Sequence, residues 1–107
     1  MSNYRFMRSM LMFDLPVDTS RDRREYRKFV KFIKKEGFIM FQESIYVKLS
    51  MNDSAAKALE KIVTDNVPPK GLVSMLTVTE KQFNGICFML GEFKTDIVDS
   101  DKRVIEI

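Results

Sequence analysis

The chain opens with a short apolar run, followed by one long amphipathic stretch. Residues 6–13 (Phe-Met-Arg-Ser-Met-Leu-Met-Phe) carry only Arg8 and Ser9 as polar members, the pattern of a central strand covered on much of both faces. Asp14 suits a strand interior badly because its short carboxylate competes for backbone hydrogens, and Pro16 removes a ladder donor. The strand is therefore expected to end at an acid. Val17-Asp18-Thr19-Ser20 is a cluster of capping residues, and Thr19 and Asp22 have capping-box spacing with Asp in place of Glu. The spacing predicts a helix over 20–36 that stops at Gly37. Tyr26, Phe29, Val30 and Ile33 recur at i, i+3, i+4 and i+7 as its buried stripe. Phe32 falls outside that stripe and is a candidate contact for a partner or a second chain.

Two strand-like pieces follow, 38–41 and 44–49, hinged at Gln42 and Glu43. In the second, Ile45, Val47 and Leu49 take one face and Ser44, Tyr46 and Lys48 the other. Asn52 and Asp53 can cap a second helix to about residue 66, with Ala55, Leu59, Ile62 and Val63 as its core stripe. Val67-Pro68-Pro69-Lys70-Gly71 is a hard turn, residues 72–79 read as another strand, and 80–84 as a short helical turn. The order βαββαβ implies an α+β, ferredoxin-like fold, an antiparallel sheet with both helices on one face. Right-handed crossovers are expected to bring the first and last strands together at the sheet centre. With 1–83 as the ferredoxin-like domain, residues 84–107 do not fit inside it. They read as an apolar strand (86–90), a polar loop (93–103) and a final strand (104–107), C-terminal strands that complete the sheet across a symmetric homodimer.

Composition narrows the chemistry. At 107 residues and 45% hydrophobic, the chain has room for one packed core without staples. A single cysteine, Cys87, and no histidine exclude an intrachain disulfide, Ser-His or Cys-His catalysis and imidazole-bound metals. A metal would need oxygen ligands, which favours magnesium, manganese or calcium. The four glycines form no phosphate-cradling loop. Residues 35–41 are only faintly like the aromatic strand of RNA-recognition modules, lacking the second glycine-aromatic step and lying on the wrong strand. No basic-then-apolar leader and no apolar run near the roughly 18 residues of a membrane span occur, so a cytoplasmic location and no membrane partner are expected.

Charge adds a partner class. Residues 1–50 hold eleven Lys/Arg against six Asp/Glu (+5), and residues 51–107 seven against nine (−2), giving the net +3. Along the first helix Arg24, Lys28, Lys31 and Lys35 fall on one side, flanked by Arg21 and Arg27, with only Glu25 near them. Such an edge suits phosphate contact, and equally a solubilising face. Asp14 likewise reads either as a binding residue at a strand mouth or as the start of the turn. Alone it is a poor magnesium site, because that ion wants further anionic ligands. A two-fold axis near the strand end would pair Asp14 from two chains and attract a divalent ion between them. Water on such an ion can attack a phosphodiester.

Met12-Phe13-Asp14-Leu15-Pro16, Arg24-Glu25-Tyr26-Arg27-Lys28-Phe29, Glu36-Gly37-Phe38, Gln42-Glu43-Ser44-Ile45-Tyr46 and Leu76-Thr77-Val78-Thr79-Glu80-Lys81-Gln82-Phe83 occur in that order. The ordered set resembles the CRISPR-associated protein 2 family, most closely members from type II systems. Many relatives have Tyr where Phe13 stands. The resemblance implies a ferredoxin-like homodimer whose final strands pair across the two chains, with Asp14 as the metal-binding and catalytic aspartate. It implies magnesium or manganese shared between two protomers and metal-dependent cleavage of RNA or DNA. It also implies spacer acquisition, in which the dimer is a scaffold along duplex DNA between dimers of the CRISPR-associated protein 1 integrase. On that reading Arg21, Arg24, Arg27, Lys28, Lys31 and Lys35 contact phosphates without reading sequence. The rival expectation is a stand-alone, toxin-like endoribonuclease of the same fold.

Overall fold

A computed structural model describes residues 6–93. The elements are β1 (Met7–Asp14), α1 (Ser20–Lys35), β2 (Ile39–Gln42), β3 (Ile45–Ser50), α2 (Asp53–Thr64), β4 (Leu72–Thr79) and α3 (Glu80–Asn84). They form the expected α+β, ferredoxin-like arrangement, one antiparallel sheet with α1 and α2 packed on the same side. The expected final strand over 104–107 and most of the polar loop before it lie outside the described residues.

The strand order is β2-β3-β1-β4. The first and last strands are neighbours, in register from Met7↔Thr79 to Asp14↔Leu72, but they do not share the centre. That place belongs to β1 and β3, paired from Met7↔Ser50 to Met12↔Ile45, and among the described residues β4 is an edge. Each helical crossover steps over one strand, so the two β-α-β units interleave and leave β2 and β4 outermost.

Thr19 caps α1 as its spacing implies. Its hydroxyl oxygen accepts from the Asp22 N–H at 3.0 Å, and the Asp22 carboxylate accepts from the Thr19 N–H at 3.2 Å. The helix ends at Lys35, with Glu36 as C-cap and Gly37 at φ +103. Phe29 and Ile33 are buried, with Tyr26, Val30 and also Phe32 packed against the core. Phe32 is thus covered within the chain, because the stripe is wide enough to include it. In α2 the buried residues are Ala56, Leu59 and Val63, not Ala55, and Ile62 is 40% exposed. Starting at Asp53, the helix puts positions 56, 59 and 63 on one side.

Leu11, Phe13, Leu15, Phe38 and Tyr46 complete the core under the helices. In β3 it is therefore Tyr46 that meets the helices, while Val47 points to the opposite face and is still fully buried. Arg8 projects from β1 on the helix-free face, forms a two-pronged ion pair with Glu80 at 2.7 and 3.2 Å, and lies 4.5 Å over the Phe83 ring. Phe41 of β2 meets Phe83, Phe88 and Phe93 at 5.5, 5.8 and 4.9 Å between ring centroids. Residues 80–93 therefore run as a strap from the β4 edge across to the β2 edge. This corrects the strand expected over 86–90: within the single chain the segment is irregular. It crosses a sheet face instead of lying beside an edge, so it has no ladder to join.

Candidate nucleic-acid interface and acidic strand end

Asp14 closes β1 opposite Leu72, and its side chain is exposed. Its backbone is framed from both sides. The preceding residue, Phe13, donates its N–H to the Ser44 carbonyl at 3.1 Å. Ser44 sits in the β2–β3 turn at φ +68, the one non-glycine with positive φ among the described residues, a conformation that costs energy and persists where surroundings enforce it. On the other side Gly71 lies so close that an added Cβ would be 2.7 Å from the Asp14 carbonyl oxygen and 2.8 Å from Leu15 Cδ2, at φ +108. Replacing Gly71 with Ala is expected to lower stability by about 1–3 kcal/mol. Urea unfolding read by circular dichroism checks this, and an unchanged midpoint would contradict the contact.

Among the described residues no hydrogen bond or ion pair engages the Asp14 carboxylate, and no three Asp, Glu or Cys side chains gather into a metal-binding group. One carboxylate supplies at most two of about six oxygens around magnesium. The donor chemistry fits a hard divalent ion, but this chain supplies only part of a site.

The basic residues read from the sequence are all in place. Arg21, Arg24, Arg27, Lys28, Lys31 and Lys35 are exposed, and among the described residues none of their side chains forms an ion pair or hydrogen bond. Arg23 differs, because its Nη1 donates to the Val17 and Asp18 carbonyls at 3.0 and 3.2 Å. The structure does not bring this edge and Asp14 onto one surface. Strand side chains alternate, so Asp14 shares the helix-free face with Met10, Met12 and Arg8, whereas α1 covers the face of Leu11 and Phe13. Leu72 and Leu76, opposite Asp14 and Met10 in β4, are 67% and 52% exposed. The acid thus stands beside an open apolar patch.

Sequence reasoning passed over the sheet end between these two features. There a cavity of about 230 Å³ is lined by Leu15, Arg21, Asp22, Glu25, Tyr26 and Lys70, with prolines closing it. Asp22 is nearly buried, at 9% exposure. The Thr19 backbone N–H holds its carboxyl below the usual carboxylate range against the cost of burial, with Lys70 assisting. Burial, helped by nearby Tyr26, pushes the Tyr46 hydroxyl up.

The family model described as CRISPR associated protein Cas2 matches residues 7–86. A CRISPR-associated endoribonuclease Cas2 from Streptococcus mutans serotype c is 50% identical over 99 residues, which cover 92% of this chain and 91% of that protein. The protein of the same name from Ligilactobacillus salivarius is 46% identical over 99 residues, covering 92% and 98%. The one from Treponema denticola is 43% identical over 99 residues, also covering 92% and 98%.

Proposed function

The chain belongs to the CRISPR associated protein Cas2 family, and we propose that it is a homodimeric scaffold for spacer acquisition that binds duplex DNA. The observation that carries this reading is the edge of α1, where six exposed cations stand without partners among the described residues. Freely solvated Lys and Arg displace the counterions condensed on DNA phosphates, a gain independent of base sequence. Two features support the dimer: β4 is an edge strand among the described residues, and Leu72 and Leu76 expose apolar surface beside Asp14. The C-terminal residues would join that edge in the partner and offer a further edge to the CRISPR-associated protein 1 integrase.

Reversing two charges, with Arg24→Glu and Lys28→Glu together, is expected to weaken duplex binding. It should also reduce the slope of log affinity against log salt by about two counterions. Fluorescence anisotropy across a salt series reads both quantities, and unchanged affinity and slope would remove α1 from the interface.

A second reading rests on Asp14 and on the endoribonuclease name its relatives carry: metal-dependent cleavage of RNA or DNA. Asp14 from each of two copies would hold magnesium or manganese. Such an ion, when bound, activates water and offsets charge on phosphate oxygens. The chain's own part is to hold the carboxylate at a rigid strand end, beside the exposed Leu72 and Leu76 where a second copy can pack. The two activities are compatible, and spacer integration by the Asp14→Ala protein separates them. A stand-alone ribonuclease of toxin type would cleave RNA without the integrase.

A further inference from the structure

The cationic edge of α1 and the Asp14 carboxylate lie on opposite faces of the sheet, so a phosphate backbone that touches both has to pass the sheet end. We propose that Lys70, which the sequence reading left out, is the phosphate contact at that crossing and joins the two surfaces into one DNA path. The inference rests on the duplex-binding and Asp14 readings above and adds a residue to them.

Three observations place it. The turn carrying Lys70 is fixed against the strand end, since the next residue, Gly71, packs against the Asp14 carbonyl too closely for a Cβ. Pro68 and Pro69 restrict the chain just before it. Lys70 therefore stands one residue from the backbone that carries Asp14. Second, its ammonium is 3.7 Å from Asp22 Oδ1 and its side chain is 68% exposed. The two form an ion pair, yet the exposed ammonium carries three N–H donors, and those turned to solvent can reach a phosphate oxygen. Third, Arg21 from the first turn of α1 lines the same cavity, and the cationic edge thus continues from the helix to the turn. Asp22 and Glu25 also line that cavity and repel an anion from its interior. The phosphate belongs at the rim, on Lys70 and Arg21. Asp22, engaged by the Thr19 N–H, pairs with Lys70 at 3.7 Å while the lysine side chain stays largely exposed at the rim.

The test compares the full-length protein with Lys70→Ala, Lys70→Arg and Lys70→Glu for binding to a short labelled duplex across a salt series, with thermal unfolding measured in parallel. Lys70→Ala is expected to lower the salt slope by about 0.9, the share of one phosphate contact, and to weaken low-salt binding several-fold. Lys70→Arg should retain the slope and Lys70→Glu should weaken binding further, all with little change in unfolding temperature. A lowered unfolding temperature with an unchanged slope would make Lys70 a structural tether of the turn and overturn the proposal. If the Arg24/Lys28 reversal weakens binding while Lys70→Ala does not, this inference alone fails. If the wild-type protein binds no duplex, the broader reading fails with it.

Discussion

Replacing Asp14 with Ala is expected to abolish divalent-metal-dependent phosphodiester cleavage while leaving the fold unchanged. Altering groups that merely orient a metal ligand costs 10- to 100-fold. Loss of the direct ligand from both copies should therefore exceed about 100-fold. The carboxylate is exposed and without partners among the described residues, so stability should move by no more than about 0.5 kcal/mol. Titration with manganese gives a readout beyond activity, since the variant should lose the heat of metal binding. Equal cleavage by the variant, equal manganese binding, or no cleavage by the wild-type protein would each sink the catalytic reading. Integration of spacers by the same variant would show that scaffolding survives without it.

The largest stability effect is expected one residue earlier. Phe13 is 6% exposed and its ring meets Phe29 edge-on at 5.4 Å, Tyr26 at 6.1 Å and Tyr46 in a stack at 5.8 Å. It ties α1 to both central strands directly behind the acid. Phe13→Ala should cost about 3–5 kcal/mol through lost transfer energy and a residual cavity, a large share of the roughly 5–15 kcal/mol that holds such a domain folded. Phe13→Leu, which keeps more of the volume, should cost less. Urea unfolding at one fixed protein concentration is the measurement, because self-association raises apparent stability by mass action. A loss below about 1 kcal/mol for Phe13→Ala would mean that the ring does not key the core.

The two substitutions separate parts of the molecule that the sequence places side by side. Position 13 points into the packed layer and position 14 away from it, as strand alternation requires. A stable but inactive Asp14→Ala protein beside an unstable Phe13→Ala protein is the expected pair of outcomes.

Local physics made much of this legible. The reading that β1 ends at Asp14 followed from a carboxylate and a proline at the end of an apolar run. The Thr19–Asp22 capping box followed from spacing, and the exposed edge of Arg24, Lys28, Lys31 and Lys35 from helical periodicity. The bounds of β4 agreed to the residue. The misses were also physical. The spacing favours Ala55 where Ala56 is the buried residue, because a weakly apolar helix leaves its phase loosely marked. The 86–90 segment has the composition of a strand, but composition does not say whether a neighbouring edge is available.

By itself, the sequence determined the order of the elements from β1 to α3, their approximate limits, the apolar side of α1, and that one acid would stand at a strand end and many cations along one helix. Those properties depend on residues within a turn or two of each other. The tertiary structure alone decided that β1 and β3 share the centre, that Asp14 faces away from the basic helix, that Phe83, Phe88 and Phe93 gather on Phe41, and that the turn carrying Lys70 packs against the Asp14 backbone. Each depends on pairings between segments far apart in the chain, which are set by how two interleaved crossovers close over a common core and not by any local pattern.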